Sequence, residues 1–225
     1  MIGIIVATDE EAQAIMSEMS EINKEEIAGI DFHIGKFSGK DAVFVQAGIG
    51  KVNAAITATL LIYKYKVGQV IFSGVAGSLD ESVQIGDIVV GTDTVQHDME
   101  VTEFGYRKGQ IPQMPVWSFE CDNTLIEKVK EIEDDSLKIY YGRILTGDQF
   151  ISSKDMKINL GKEFKALCVD MESAAVAQVC YRLNTGFLII RSISDSLTDK
   201  SGMEYQEFVK LASNNSKELL KRILI

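Results

Sequence analysis

Short apolar runs alternate with helical stretches along almost the whole chain. Residues 2–7 and 187–193 are predominantly apolar, which is the pattern of strands buried on both faces. Residues 51–66 and 171–183 instead show the longer spacing of helices. Strands that alternate with helices in this way predict an α/β fold with a central, mostly parallel sheet.

The remaining elements are predicted from the same two spacings and from turn residues. Thr8 or Asp9 caps the first helix, and Gly39 lies in a hairpin between residues 32–38 and 41–47. Further strands are expected at residues 69–73, 85–90, 94–97, 137–145 and 168–170, further helices at 125–133 and 203–222, and a long loop at 99–118. Neither a linker nor an internal repeat interrupts these elements, so residues 1–225 are expected to form a single domain.

The charge and the apolar runs exclude several classes of partner. The chain has 23 Lys and Arg against 33 Asp and Glu, a net charge of −10, which argues against a nucleic-acid partner. No apolar run reaches the roughly 20 residues that span a bilayer, so no membrane partner is expected. The first residues lack the basic flank of a signal peptide, and the three cysteines form no paired motif. These features predict a cytoplasmic protein.

Two glycine-rich segments do not match the known cofactor motifs. Asn53 stands where a dinucleotide fingerprint beginning at Gly48 and Gly50 needs its third glycine, so a tight turn near a ligand is the simpler interpretation. Residues 74–77 follow a strand but lack the lysine of a phosphate-binding loop. Residues 67–106 contain seven acids and no lysine or arginine, which argues against a phosphate site. No cofactor is expected, and no metal either, because the two histidines are not spaced as a ligand pair.

Three carboxylates follow predicted strands and are the candidate catalytic groups. Glu11 and Glu172 could be ordinary acids of a first helical turn, and Asp195 could be an ordinary cap. Together they suggest a shared catalytic site, because the carboxyl ends of parallel strands converge on one crevice. Carboxylates in different environments are the usual means of splitting a glycosidic bond. Phe150 and Ile151 in the following loop either fold back into the core or, for the aromatic ring, stack on a base.

The order and spacing of several segments make the chain resemble the 5′-methylthioadenosine/S-adenosylhomocysteine nucleosidase family of the nucleoside phosphorylase-like superfamily. The matching segments are IGIIVATDEE (2–11), AGIGKVNAA (47–55), SGVAGSLDESVQIGDIVV (73–90), HDMEVTEFGYRKGQIPQMP (97–115), TGDQFI (146–151), VDMESAAVA (169–177) and RSISDS (191–196). The resemblance covers essentially the whole chain. It implies a three-layer αβα fold with a mixed, mostly parallel, twisted sheet.

The resemblance also implies an activity and a set of roles. The family hydrolyses the N-glycosidic bond of 5′-methylthioadenosine, S-adenosylhomocysteine and 5′-deoxyadenosine, without a cofactor, in methionine salvage. Glu11 would activate the attacking water, Asp195 would protonate N7 of adenine, and Glu172 with Met171 would hold the ribose hydroxyls. The implied supporting residues are Phe150 and Ile151 against adenine, Ile49 and Gly77 along the substrate, Arg191 and Ser194 behind the water and Asp195, and Tyr205 as a lid.

Four positions depart from the family pattern, and three other functions stay open. Val75 stands where the family often has Ser, and Ser78 where it often has Gly or Ala. Asp170 stands where it often has Glu, and Thr8 where it often has Met. The alternatives are a 6-amino-6-deoxyfutalosine hydrolase, a purine nucleoside phosphorylase, and a nucleoside-binding module without catalysis. The three intact carboxylates argue against the binding module.

The long loop at 99–118 predicts a homodimer. It carries eight large apolar residues, which would form an exposed patch on a monomer and so mark an interaction surface: Met99, Val101, Phe104, Tyr106, Ile111, Met114, Val116 and Trp117. The resemblance implies that Phe104 and Tyr106 close the 5′ pocket of a neighbouring subunit. The alternative is that the loop packs on its own subunit.

Overall fold

The computed structural model describes residues 1–132, 136–197 and 205–224, with the backbone alone at 205 and 206. The strands are β1 (Ile2–Val6), β2 (Met19–Ile27), β3 (Ile30–Phe37), β4 (Lys40–Gln46), β5 (Gln69–Ser78), β6 (Ile88–Gln96), β7 (Phe119–Glu120), β8 (Ile139–Thr146), β9 (Ala166–Asp170) and β10 (Gly186–Asp195). The helices are α1 (Asp9–Met16), α2 (Lys51–Tyr65), α3 (Asn123–Lys130), α4 (Lys154–Phe164), α5 (Ser173–Arg182) and α6 (Tyr205–Ile223).

The strands form one mixed sheet that is parallel at its centre. Its order is β10-β6-β8-β9-β5-β1-β4-β3-β2, with an additional pairing between β10 and β5. β4, β1, β5 and β10 pair in parallel, as do β6, β8 and β9, whereas the β2-β3-β4 hairpins and the β10–β6 and β5–β9 contacts are antiparallel. The carboxyl ends of β1, β5 and β10 therefore lie at the same edge of the sheet.

The helices pack on the sheet in two groups, which gives the three-layer α/β fold expected. α2 packs against α5, and α1 and α3 pack against α6. α2 buries five side chains, at the spacing of one helical face: Ala54, Thr57, Ala58, Leu61 and Ile62. One large apolar cluster includes the central strands, and a smaller one forms between β8, β9 and α4.

Local signals at the ends of elements are confirmed. Thr8 is the N-cap of α1, and it forms a capping box in which the side chain of Glu11 accepts from the Thr8 N–H. The hairpin around Gly39 is present as β3 and β4. The helices predicted at 125–133 and 171–183 are present but shorter, as α3 and α5.

Two predictions of secondary structure are corrected. β5 does not end at Ser73 but continues through Gly74–Gly77 to Ser78, and β6 is one strand where two were expected. Three further elements, β2, β7 and α4, were not predicted. β2 is a polar edge strand whose side chains are mostly exposed, so it lacks the apolar alternation that marks a half-buried strand.

The loop at 99–118 is confirmed as irregular apart from a single 3-10 turn at Thr102–Phe104, but its expected apolar patch is largely wrong. Met114 is buried, Ile111 and Val116 pack on the large cluster, and Trp117 packs on the small one. Only Phe104 is strongly exposed, at 79%. The loop thus packs mainly on its own subunit, because its aromatic and aliphatic side chains reach the protein core.

The described residues hold neither a membrane-spanning helix nor a metal-binding cluster. Among them, no helix is long and apolar enough to cross a membrane. The same part of the chain holds no cluster of three His, Cys, Asp or Glu side chains placed to bind a metal ion.

Candidate active site

A cavity opens at the edge of the sheet where β1, β5, β9 and β10 end. The three predicted carboxylates line it together: Glu11, Glu172 and Asp195. So do six of the predicted supporting residues: Ile49, Gly77, Phe150, Ile151, Met171 and Ser194. Residues separated by more than 180 positions in the chain meet here because parallel strands bring their carboxyl ends to one place.

Glu11 is held rigidly by the backbone around it. It is buried, and its Oε2 accepts from the N–H groups of Ala7 and Thr8 at 2.8 and 3.0 Å. Its Oε1 accepts from the N–H of Val75 on β5 at 2.9 Å. A Cβ at Gly74 would lie 2.8 Å from the same Oε1, so only glycine leaves room for this carboxylate. The side chain is thereby fixed at the cavity wall.

Glu172 is buried between the start of α5 and the turn before α2. Its Oε1 accepts from the N–H of Gly50 at 2.9 Å, and its Oε2 from the N–H of Met171 at 3.3 Å. Gly50 has φ 97°, which suits glycine and aims its N–H at the carboxylate. Burial, and next the charge of Asp170, raise the pKa of Glu172 to about 7. Arg191 opposes that rise.

Asp195 is the last residue of β10 and lies beside Gly77 of β5. The two residues are paired in register across the strands. A Cβ at position 77 would lie 2.8 Å from Asp195 Oδ1, so glycine is needed here too. The glycines of segment 74–77 therefore allow two candidate catalytic side chains, Glu11 and Asp195, to lie close to the backbone of β5. They do not form a turn.

A buried ion pair lies beneath the carboxylates. Arg191 on β10 is 1% exposed and donates from Nε to Asp170 Oδ2 at 2.6 Å and to Ser173 Oγ at 3.1 Å. Thr146 donates to the other Asp170 oxygen at 2.6 Å. The guanidinium also lies 3.9 Å above the ring of Phe72. Arg191 is not among the residues that line the cavity, so it supports the site from below.

The adenine candidates lie on a loop that is pinned at several points. Phe150 is 66% exposed at the cavity mouth, whereas Ile151 is buried in the small apolar cluster and also lines the cavity. Asp148 accepts from the N–H of Lys51 at 2.8 Å and donates its own N–H to Asp98 at 3.0 Å. These contacts fix the loop against the start of α2 and leave the Phe150 ring free to receive a flat ligand.

Phe104 and Tyr106 do not line this cavity in the single chain. Both lie on the long loop, and their expected role in a neighbouring subunit's pocket stays a prediction. Tyr205 begins α6, but its side chain lies outside the described residues, so its role as a lid stays a prediction.

Sequence reasoning missed one charged residue of the site. Lys157 on α4 forms an ion pair with Asp195. The sequence contains a signal for this position. Lys157 precedes Leu160 by three positions and Phe164 by seven, a helical spacing that puts its charge on the same inward face as these two apolar residues. Helix α4 itself was not predicted, so that signal could not be used.

The arrangement suits cleavage of a bond between a base and a sugar. It offers the buried carboxylates of Glu11 and Glu172, the partly exposed Asp195 and an exposed aromatic ring around one cavity, while the buried Asp170 is paired with Arg191. Arg191 and Lys157 are each already paired with a carboxylate, so neither is offered to a phosphate.

The fold and this site define a class of protein, and a family model agrees. The model described as the phosphorylase superfamily matches residues 1–225. Two similar proteins narrow the class. A curated 5′-methylthioadenosine/S-adenosylhomocysteine nucleosidase of Staphylococcus haemolyticus is 38% identical over 226 residues, covering 100% of this chain and 99% of that protein. The structure of the nucleosidase of the same name from Neisseria meningitidis, in complex with methylthio-immucillin-A, has a TM-score of 0.93 at 35% identity, covering 99% of this chain and 97% of that one.

A third similar structure is the native futalosine hydrolase of Helicobacter pylori, with a TM-score of 0.92 at 34% identity, covering 99% of this chain and 96% of that one. Within the superfamily, the chain belongs to the 5′-methylthioadenosine/S-adenosylhomocysteine nucleosidase family, since its similarity to that family extends over both full lengths. The expected family and fold are therefore confirmed.

Proposed function

We propose that this chain hydrolyses the N-glycosidic bond of 5′-methylthioadenosine and S-adenosylhomocysteine, and of 5′-deoxyadenosine, releasing adenine and the free sugar. The observation that carries the proposal is the convergence of Glu11, Glu172 and Asp195 on one cavity beside the exposed ring of Phe150. The names of the relatives supply the substrate class. The proposed reaction would serve methionine salvage, and the protein that carries it out would be cytoplasmic.

Glu11 is the group that activates water. Its three backbone hydrogen bonds hold both oxygens in place, so the carboxylate can accept a proton from water without moving. The side chain of Val75 has no hydroxyl that could help to orient this water. The backbone N–H of Val75 instead orients the Glu11 carboxylate. The attacking oxygen then adds to the anomeric carbon as the bond between the sugar and adenine breaks.

Glu172 binds the ribose and stabilises its charge. Cleavage passes through a state with oxocarbenium character, in which positive charge develops on the sugar. A carboxylate fixed by Gly50 and Met171 accepts from the ribose hydroxyls and lies close to that charge. Binding a hydroxylated sugar favours the ionised form of Glu172, since only that form accepts with both oxygens.

Asp195 is the general acid. The electron pair of the breaking C–N bond moves onto the purine, and a proton from Asp195 to N7 turns the base into a neutral leaving group. Acid catalysis of this kind contributes about 10²–10⁴-fold to the rate. The stacking of adenine on Phe150 holds the base in the plane that this transfer needs.

Water rather than phosphate is the nucleophile that the charges favour. A phosphorolytic site needs cations that are free to bind the anion. Arg191 is paired with Asp170, and Lys157 with Asp195. The residues 67–106 add no lysine or arginine to this side of the cavity.

We propose that the chain forms a homodimer. The exposed apolar surface that supports this proposal lies on two helices and not on the long loop. The adjacent helices α2 and α5 present large exposed apolar side chains, among them Val52 at 69% and Tyr63 at 71%. Three more large apolar residues on or next to these helices are also exposed: Ile56, Tyr181 and Leu183. A surface of this kind is typical of a contact between copies. Phe104 would then reach the partner's 5′ pocket.

Adenine release from each candidate nucleoside, measured with and without phosphate, tests the proposal. We expect release from 5′-methylthioadenosine and S-adenosylhomocysteine, no dependence on phosphate, and free methylthioribose as product. A ribose 1-phosphate product would favour the phosphorylase, and release from 6-amino-6-deoxyfutalosine alone would favour the related hydrolase. Asp195→Asn is the matched control, since the amide keeps the shape of the acid but should lower kcat at least 100-fold.

A further inference from the structure

Lys157 occupies an unusual position for a lysine. Helix α4 buries three side chains, Lys157, Leu160 and Phe164, which lie on one helical face. Leu160 and Phe164 belong to the small apolar cluster together with Ile151. Lys157 itself is only 4% exposed. A buried ammonium is unfavourable unless it is paired, so a specific partner is required at this position.

That partner is Asp195, the proposed general acid. Lys157 Nζ forms an ion pair and a hydrogen bond with Asp195 Oδ2. The Lys157 side chain is 5% exposed and that of Asp195 is 27% exposed. Asp195 lines the cavity and Lys157 does not. The lysine thus contacts Asp195 from outside the cavity lining.

The ion pair leaves the two oxygens of Asp195 with different surroundings. Oδ2 is engaged by Lys157, whereas Oδ1 lies against Gly77, which also lines the cavity. Holding one oxygen fixes the plane of the carboxyl group. Oδ1 is the oxygen that Lys157 leaves available to the purine.

We propose that Lys157 is a positioning residue for the general acid, an inference that rests on the proposed function. In the acid step the O–H bond of Asp195 breaks and the N7–H bond forms, while the C–N electron pair moves into the purine. The carboxylate left on Asp195 is the species that the Lys157 ammonium stabilises. The lysine makes no contact with substrate and acts through Asp195 alone.

The test compares two substrates that differ in their need for an acid. 5′-Methylthioadenosine needs a proton on its leaving base, whereas a 4-nitrophenyl 5-methylthioriboside releases 4-nitrophenolate without one. Lys157→Met keeps the length and apolar stem of the side chain on the buried face. Lys157→Arg restores the charge, and Lys154→Met on the exposed side of the same helix is the matched control.

Lys157→Met should lower kcat on 5′-methylthioadenosine about 10- to 100-fold, with KM within about threefold, and should leave the nitrophenyl substrate within about threefold of wild type. Lys157→Arg should recover most of the loss, and Lys154→Met should behave as wild type. Asp195→Asn should show the same preference for the nitrophenyl substrate, since both changes remove the acid function.

Two results would overturn the inference. One is an unchanged kcat on 5′-methylthioadenosine in Lys157→Met, and the other is an equal loss on both substrates, which would indicate a merely structural role. If Lys157→Met does not fold, Lys157→Gln is measured in its place with the same two criteria. A wild-type protein that releases no adenine refutes the proposed function instead, so the two failures are distinguishable.

Discussion

The buried carboxylate of Glu172 should make the stability of the empty protein depend on pH. Burial raises its pKa to about 7 from the ordinary 4.5. Between these two values the native protein holds a proton that the unfolded chain has released. The free energy of unfolding contributed by this group therefore falls as the pH rises from about 4.5 to about 7, and stays low above that.

The size of the effect follows from the same two values. At 1.36 kcal/mol for each pH unit between them, the loss is at most about 3 kcal/mol. Glu172→Gln removes the titration while keeping the shape, and its side-chain oxygen can still accept from Gly50. We expect the difference in the free energy of unfolding, variant minus wild type, to rise by up to about 3 kcal/mol between pH 4.5 and pH 8.

Urea unfolding of both proteins at several pH values between 4.5 and 8.5 measures this difference directly. Comparing the variant with wild type cancels the titration of the groups that do not interact with Glu172. Glu120→Gln, at an exposed position on β7, is the matched control for exchanging a carboxyl group for an amide. A Glu172→Gln difference that stays constant, or that falls as pH rises, would refute the reasoning.

Three further outcomes are expected. Glu11→Gln should lower kcat about 1,000-fold while 5′-methylthioadenosine still binds in calorimetry, because the amide cannot take the proton of water; lost binding with intact chemistry would assign Glu11 another role. Phe150→Ala should raise KM about fivefold with a smaller change in kcat, since stacking contributes about 1 kcal/mol, and an unchanged KM would contradict the adenine assignment. Dilution should reduce activity together with dimer content in light scattering, whereas a fully active monomer would refute the role of Phe104 in the partner's pocket.

The prediction of the fold from the sequence succeeded where local pattern carries the information. The apolar run of β1, the hairpin at Gly39 and the helix cap at Thr8 all depend on residues that are near one another in the chain. The approach of Glu11 and Asp195 also followed, since β1, β5 and β10 run parallel and align their carboxyl ends. Glu172 was expected there for the same reason, but it follows β9, which pairs antiparallel with β5. Sequence periods and caps are enough for such features.

Other elements depended on contacts that no local pattern records. β2 is polar and exposed, and it is a strand only because β3 provides a pairing edge. Trp117 looked like part of an exposed patch, yet in the fold it stacks on Phe164 at 6.2 Å between ring centroids. Both cases are decided by a partner from another part of the chain.

The glycines of segment 74–77 and Lys157 show most clearly what the sequence alone determined and what it did not. From the sequence, Gly74–Gly77 indicated the end of a strand near a ligand, and Lys157 carried no prediction. In the tertiary structure the strand continues to Ser78, because it pairs with β10 and β9. The space that side chains would need at positions 74 and 77 is taken by Arg191, Glu11 and Asp195. Lys157 is buried because Asp195, 38 positions later, supplies the opposite charge. Sequence determines which elements can form, whereas the close approach of distant side chains decides how glycine and charge are used.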